Sequence, residues 1–178
     1  MKIANAQAYA FPGTYTFGDW IGGGTYGKVF KAEVNPGRIP VAVKFLRGRH
    51  GRETALEEAM ALERAQGCRQ VLPLRDAWYN HEAKKTALVF PLMSGDLEGL
   101  LRGTDGLAPA VGRKIMGQVL TGVAHIHSRG MIHADIKPGN ILVQPEAGPG
   151  SEYTVMVSDL GMVMEALRHA DGRTYLRT

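Results

Sequence analysis

The sequence predicts an α+β chain whose first half is β-rich around one main helix and whose second half is mainly helical. Three observations carry that expectation. Residues 14–46 alternate polar and apolar side chains on either side of a glycine cluster. Residues 52–66 are rich in Ala, Glu and Leu, and residues 108–128 repeat apolar side chains with a period near 3.6. A length of 178 residues suits one ordinary domain, or one small and one larger lobe.

Residues 14–20 read as a strand, and Lys28-Val29-Phe30-Lys31-Ala32-Glu33 alternates like a second one. Between them, Gly22-Gly23-Gly24-Thr25-Tyr26-Gly27 has the spacing G-x-G-x-x-G at a hairpin, followed by x-V. A dinucleotide-binding turn with that spacing should open a helix, so the strand after Gly27 disfavours an oxidoreductase. A glycine hairpin can bring backbone N–H groups onto phosphates with no side chain in the way. Taken in isolation it is equally a structural β-turn.

Residues 39–46 form a further strand by their β-branched content, with Pro40 admissible only at its start or on an edge. This strand carries Lys44 among apolar residues, and a half-buried ammonium needs an anionic partner. Of the acids in the helical stretch 52–66, Glu58 lies one turn before Leu62, beside a core-facing row. It is favoured over Glu57, with Glu53 and Glu63 behind, and most of these acids belong to a solvated helix face.

Residues 88–93 read as a buried strand, and Asp96 as the cap of a helix over 97–101. In 108–128 the stripe Val111, Ile115, Val119, Val123 and Ile126/His127 faces a core. His125 and His127 diverge on a helix and make a poor metal pair, so they are read as packing histidines. Then comes the densest chemistry, His133-Ala134-Asp135-Ile136-Lys137-Pro138-Gly139-Asn140. It sets a carboxylate, an ammonium and a carboxamide at offsets of two and five, and Asp159 follows in Ser158-Asp159-Leu160-Gly161. Such groups can take a proton from a hydroxyl, steady a phosphoryl group and ligate Mg²⁺. Strands over 141–144 and 153–158 flank the one linker-like stretch, the Pro/Gly-rich residues 145–150.

Composition narrows the partners. The net charge is +4 and the arginines are scattered, apart from Arg47, Arg49 and Arg52. That fits an anionic ligand and falls short of a nucleic-acid footprint. The single cysteine, Cys68, excludes an internal disulfide and suits a reducing compartment. No apolar run approaches the roughly eighteen residues of a membrane span, and the N-terminus lacks the pattern of a secretory signal. The expectation is an intracellular protein, cytoplasmic or nuclear, with neither nucleic acid nor membrane as partner.

The glycine hairpin, strand lysine, acidic helix, His-x-Asp loop and Asp-x-Gly stand in the order of the eukaryotic protein kinases. The chain resembles that family from about Phe17 to Gly161, and Lys137 resembles its serine/threonine class. The resemblance implies a bilobal fold across 1–178, with an N-lobe over about 14–91 and a partial C-lobe over about 92–178 that ends in the activation segment. It implies that Gly22, Gly24 and Gly27 cover the phosphates of ATP and that Val29, Ala42 and Leu142 line the adenine site. Phe90 would be the gatekeeper, and the Leu92–Met93 backbone would bond adenine. Lys44, paired with Glu58, would hold the α- and β-phosphates. Asp135 would orient and deprotonate a Ser/Thr hydroxyl of a protein substrate while Lys137 steadies the γ-phosphate. Asn140 and Asp159 would ligate Mg²⁺, and His133 would support the Asp159 loop. The implied reaction is in-line transfer, driven by positioning and charge neutralisation.

Three departures from the family pattern qualify these expectations. Ala134 stands where many members have Arg, which argues against switching through a phosphorylated loop; Leu160 for Phe is a mild change. The connection 144–153 is expanded, which a surface loop tolerates cheaply. No Ala-Pro-Glu follows Gly161, which suggests a catalytic domain truncated at its C-terminus with an incomplete helical C-lobe. Met162, Val163, Met164 and Leu167 would then be exposed, and a partner chain would cover them. The alternative function is a non-catalytic kinase-like module that binds ATP or a partner, a pseudokinase or gene fragment; a small-molecule kinase is the weaker third.

Overall fold

The structure is a computed structural model and describes residues 14–24, 27–46, 51–80, 85–104, 106–146, 153–168 and 174–177. Thr25, Tyr26, Arg47, Arg49 and residues 147–150 lie outside that set, as do the side chains of Arg52, Glu53 and Leu167. The chain divides into two compact units. One comprises the described residues up to Met60 with Pro73–Leu92, the other Ala61–Leu72 with those from Met93 onward.

The first unit is built on a five-stranded antiparallel sheet in the order β1-β2-β3-β5-β4. Its strands are β1 (Tyr15–Gly24), β2 (Gly27–Val34), β3 (Ile39–Leu46), β4 (Asp76–Asn80) and β5 (Lys85–Pro91). The expected glycine hairpin is the β1–β2 junction, where Gly24 faces Gly27. Helix α1 (Gly51–Arg64) follows β3. Register sorts the residues of β2, β3 and β5 onto two faces, because opposed residues share a face and neighbours alternate. Phe30, Ala32, Val41, Val43, Phe45, Ala87 and Val89 form the buried cluster on one face. Val29 lies opposite Lys44, and Ala42 lies opposite Phe90, all on the other face.

Pro40 has a partner in β2 (Glu33), while the β3–β5 pairing begins one residue later, at Val41 and Pro91. Pro40 therefore stands at the start of the strand, where a missing N–H is tolerated. Strand β4 has no local signal in the sequence. Asp76-Ala77-Trp78-Tyr79-Asn80 does not alternate, and it becomes a strand through its pairing with β5. The sheet curves until its edge strands meet, since Tyr15 of β1 donates its hydroxyl to Asp76 of β4 at 2.9 Å. Burial, and then the Asp76 carboxylate, push that phenol up to about 12.

The second unit holds α2 (Leu97–Arg102) and α3 (Pro109–Ser128), with two small sheets. One joins β6 (Gly95–Asp96), β8 (Ile141–Pro145) and β9 (Tyr153–Val157); the other joins β7 (Met131–Ile132), β10 (Met164–Arg168) and β11 (Thr174–Arg177), in the order β11-β10-β7. Asp96 caps α2 by accepting the Gly99 N–H at 2.6 Å. Helix α3 buries Ile115, Val119, Gly122 and Ile126. Gly122 is missing from the apolar stripe because its role is steric. A Cβ there would stand 2.6 Å from the Gln70 carbonyl oxygen and 2.9 Å from Val157 Cγ2. Gln118, one turn earlier, closes the free edge of β9, donating to the Tyr153 carbonyl at 2.7 Å and accepting from the Val155 N–H at 2.9 Å.

Two side-chain expectations change. His125 packs, its Nε2 lying 3.3 Å from the Gln66 carbonyl, but His127 is exposed because it points away from that contact. Met162 is 44% exposed, whereas Val163 and Met164 are half-buried, since Met164 enters β10 and pairs with Ile132. Among the described residues, no helix is long and apolar enough to cross a membrane.

Candidate active site

In the first unit the candidate groups gather on the sheet face opposite the apolar cluster. Lys44 Nζ lies 2.8 Å from Glu58 Oε1, and the two side chains are only 12% and 3% exposed. Glu57 is exposed. A charge pair this dry is held only if both partners stay, since removing one strands the other without water. Val29, Ala42 and Phe90 lie on the same sheet face as Lys44, with Phe90 buried and the other two half-buried. Leu92 and Met93 follow β5 and are half-buried.

The glycines of the hairpin are not equivalent. A Cβ on Gly27 would come within 2.4 Å of the Phe45 carbonyl oxygen, so the β2–β3 approach itself demands glycine there. Gly22 has nothing within 4 Å of an added Cβ, so packing does not require its glycine. Gly24 terminates β1 opposite Gly27.

In the second unit the polar loop is assembled by short-range bonds. Lys137 donates to Asp135 Oδ2 at 2.7 Å, and Asn140 Nδ2 donates to the same oxygen at 2.9 Å and to the Asp135 carbonyl at 2.8 Å. The Lys137 hydrogen bond leads the causes that hold the Asp135 carboxyl below the usual carboxylate range. Asp135 thus stays ionised as an acceptor, with its side chain 29% exposed. Leu142 of β8, half-buried, pairs with Asp96 and Met156.

His133 is 1% exposed and bridges the two acidic segments. Its Nε2 lies 2.8 Å from the Ser158 carbonyl, and its Nδ1 accepts the Asp135 N–H at 3.3 Å. That division makes Nε2 the donor and Nδ1 the acceptor. Ser158, which sequence reasoning passed over, closes the link from the other side: its N–H and its hydroxyl both donate to the Asn140 carbonyl, each at 2.9 Å. Its place immediately before Asp159 was the only available hint.

The backbone is left-handed at Ala134 (φ 62°) and Asp159 (φ 65°), the residues beside and at the candidate acids. Such geometry is unfavourable for residues with a Cβ and persists where surrounding bonds impose it, often at functional sites. The His133 and Ser158 bonds supply that restraint here.

The donor set fits a hard divalent cation. The amide nitrogen of Asn140 is engaged with Asp135, so its Oδ1 is the atom that would face a cation, beside the carboxylate oxygens that Asp159 would offer. Among the described residues, no group of three or more His, Cys, Asp or Glu gathers as a metal cage. Mg²⁺ commonly uses one or two carboxylates and takes its remaining ligands from phosphate and water.

A glycine-lined strand junction, a buried strand lysine paired to a helix glutamate and, in the second unit, an ionised aspartate beside lysine and asparagine are side chains of the kinds that nucleotide-dependent phosphotransfer uses. The profile described as "Protein kinase domain" matches residues 15–178, and the chain belongs to the protein kinase family. It is 32% identical over 157 residues to "Probable cyclin-dependent kinase 8" of Dictyostelium discoideum, an alignment covering 83% of this chain and 40% of that protein. It is 32% identical over 170 residues to "Serine/threonine-protein kinase stk11" of Xenopus laevis, covering 91% and 38%. The human STK11 serine/threonine-protein kinase is 31% identical over 162 residues, covering 87% and 36%. The chain thus spans about two fifths of the length of these relatives. Membership implies ATP as substrate and, generally, a divalent metal.

Proposed function

We propose that this protein is a serine/threonine protein kinase that transfers the γ-phosphoryl group of ATP, with Mg²⁺, to hydroxyls of protein substrates. The observation that carries this reading is the state of Asp135: its carboxylate is held ionised by Lys137, fixed by Asn140, and tied through His133 and Ser158 to the residue preceding Asp159. The N-lobe is taken as about residues 14–91 and the C-lobe as about 92–178, bounds that differ from the two compact units in where Ala61–Leu72 falls. The lone Cys68 and the absence of a long apolar helix among the described residues support an intracellular setting.

In the first unit, Lys44 is oriented by Glu58 and presents its ammonium to the α- and β-phosphates, while Gly22, Gly24 and Gly27 leave backbone N–H groups unshielded above them. Val29, Ala42, Phe90 and Leu142, with the Leu92–Met93 backbone, are assigned to the adenine. In the second unit, Asp135 accepts a hydrogen bond from the substrate hydroxyl, aligns its oxygen and takes its proton as the bond to phosphorus forms. Lys137 moves between its bond to Asp135 and the transferred phosphoryl. Asn140 Oδ1 and the Asp159 carboxylate would hold Mg²⁺, which when bound neutralises charge on the phosphate oxygens.

Two measurements test this reading. Calorimetry should detect MgATP binding that weakens when Lys44→Met or Asp159→Asn is introduced. Phosphotransfer to serine- and threonine-containing peptides should fall by about 10²- to 10⁴-fold in Asp135→Asn. No nucleotide binding by well-folded protein would overturn the proposal, and equal transfer by parent and Asp135→Asn would favour the interaction module.

A further inference from the structure

The loop bearing Asp135 and the segment bearing Asp159 are each continuous with a strand, and those two strands pair. β7 runs directly into His133, and β10 begins two residues beyond the turn Leu160–Met162. They are antiparallel, with Met164 opposite Ile132 and Glu165 opposite Met131, and the Ala166 N–H adds a bond to the Gly130 carbonyl at 2.9 Å.

One side chain spans the end of this pairing. Arg64, the last residue of α1, sends Nη1 to Glu165 Oε1 at 2.5 Å and Nη2 to the Arg129 carbonyl at 3.1 Å. Arg129 caps α3 two residues before β7, and carbonyls at a helix C-terminus lack intrahelical partners. A guanidinium suits this place because its planar fork carries donors toward two directions at once, which an ammonium does not. A single cation therefore touches both the strand that trails Asp159 and the turn that leads to Asp135. Its ion pair with Glu165 is half exposed on both sides, at 46% and 42%, so it adds little to global stability. Its effect is geometric.

We propose that Arg64 is a positioning residue, which sets the loop carrying Asp135, Lys137 and Asn140 against the segment carrying Asp159. It touches no reacting atom and acts on phosphoryl transfer through those four. The consequence for transfer rests on the kinase function proposed above; the placement of the two strands does not.

Hydrogen exchange read by mass spectrometry, with steady-state transfer to serine- and threonine-containing peptides, tests the inference on the parent chain, Arg64→Gln, Glu165→Gln and the charge swap Arg64→Glu/Glu165→Arg. In Arg64→Gln the β7 and β10 amides should exchange about tenfold faster, and kcat should fall about tenfold with the KM for ATP within about twofold of the parent. The melting midpoint should stay near the parent's. Glu165→Gln, which keeps the Arg129 bond, should move both readouts less in the same direction, and the swap should restore them to within about threefold. Unchanged exchange at β7 and β10 in Arg64→Gln, or a swap no better than Arg64→Glu alone, would overturn the assignment. A parent chain that binds no nucleotide and transfers no phosphate would count against the kinase function, and the exchange comparison would still decide the role of Arg64.

Discussion

Lys137 and Asp135 stand two positions apart, and their 2.7 Å bond has a titratable consequence. The bond to Lys137, ahead of the one to Asn140, holds the Asp135 carboxyl below its ordinary value. A depressed carboxyl is ionised at every pH above that lowered value, so the base form persists further into acid than an isolated aspartate allows. Any folding stability this group adds is present above the unfolded-state pKa, near 3.9, and is lost as pH falls through the lower folded value. Lys137→Ala should therefore move the acid limb of the kcat/KM profile toward higher pH, besides lowering the rate; an unmoved limb would place the control elsewhere. Lys44 and Glu58 are coupled more tightly because both are nearly dry. Lys44→Met or Glu58→Gln alone should cost about 3 kcal/mol in denaturant unfolding, and the double variant clearly less than the sum, since neither charge is then left unpaired.

The glycine hairpin contains glycines of two kinds, and the difference is measurable. Gly27→Ala forces a Cβ to within 2.4 Å of a β3 carbonyl, so it should lower the melting midpoint as an overpacking change worth about 1–3 kcal/mol. Gly22→Ala meets open space, so it should leave the midpoint near the parent's and appear instead in the KM for ATP. Loss of stability in both, or in neither, would show that the hairpin glycines share one role. Helix α3 and strands β1, β2, β3 and β5 were legible because apolar spacing and β-branched runs are local signals. β4, β6 and β7 were not, because each becomes a strand only through a partner brought in from elsewhere in the chain. Gly122 escaped the apolar stripe for a related reason: what it contributes is the absence of a side chain against Gln70 and Val157.

Taken over the whole chain, the chemistry should respond to ligand as a linked equilibrium. A ligand that binds only folded protein stabilises it by about 2.7 kcal/mol at a hundredfold excess over its Kd. MgATP should therefore raise the melting midpoint of the parent, and the rise should be largely lost in Asp159→Asn and when EDTA replaces the metal. Equal shifts in parent and Asp159→Asn would remove that aspartate from the metal site. The kinase family, the order of its motifs and a preference for Glu58 among the acids that could pair with the strand lysine could be drawn from the sequence alone, because they depend on residue type, motif spacing and helix periodicity; the structure decided for Glu58. Support of the Asp159 loop by His133 was implied by the family resemblance, but the bond through which it acts, the brace at Ser158, the left-handed backbone at Ala134 and Asp159, and the grip of Arg64 on Glu165 and the Arg129 carbonyl required the tertiary structure. The bonds among them join residues 18 to 101 positions apart, and only the folded chain brings their donors within reach of their acceptors.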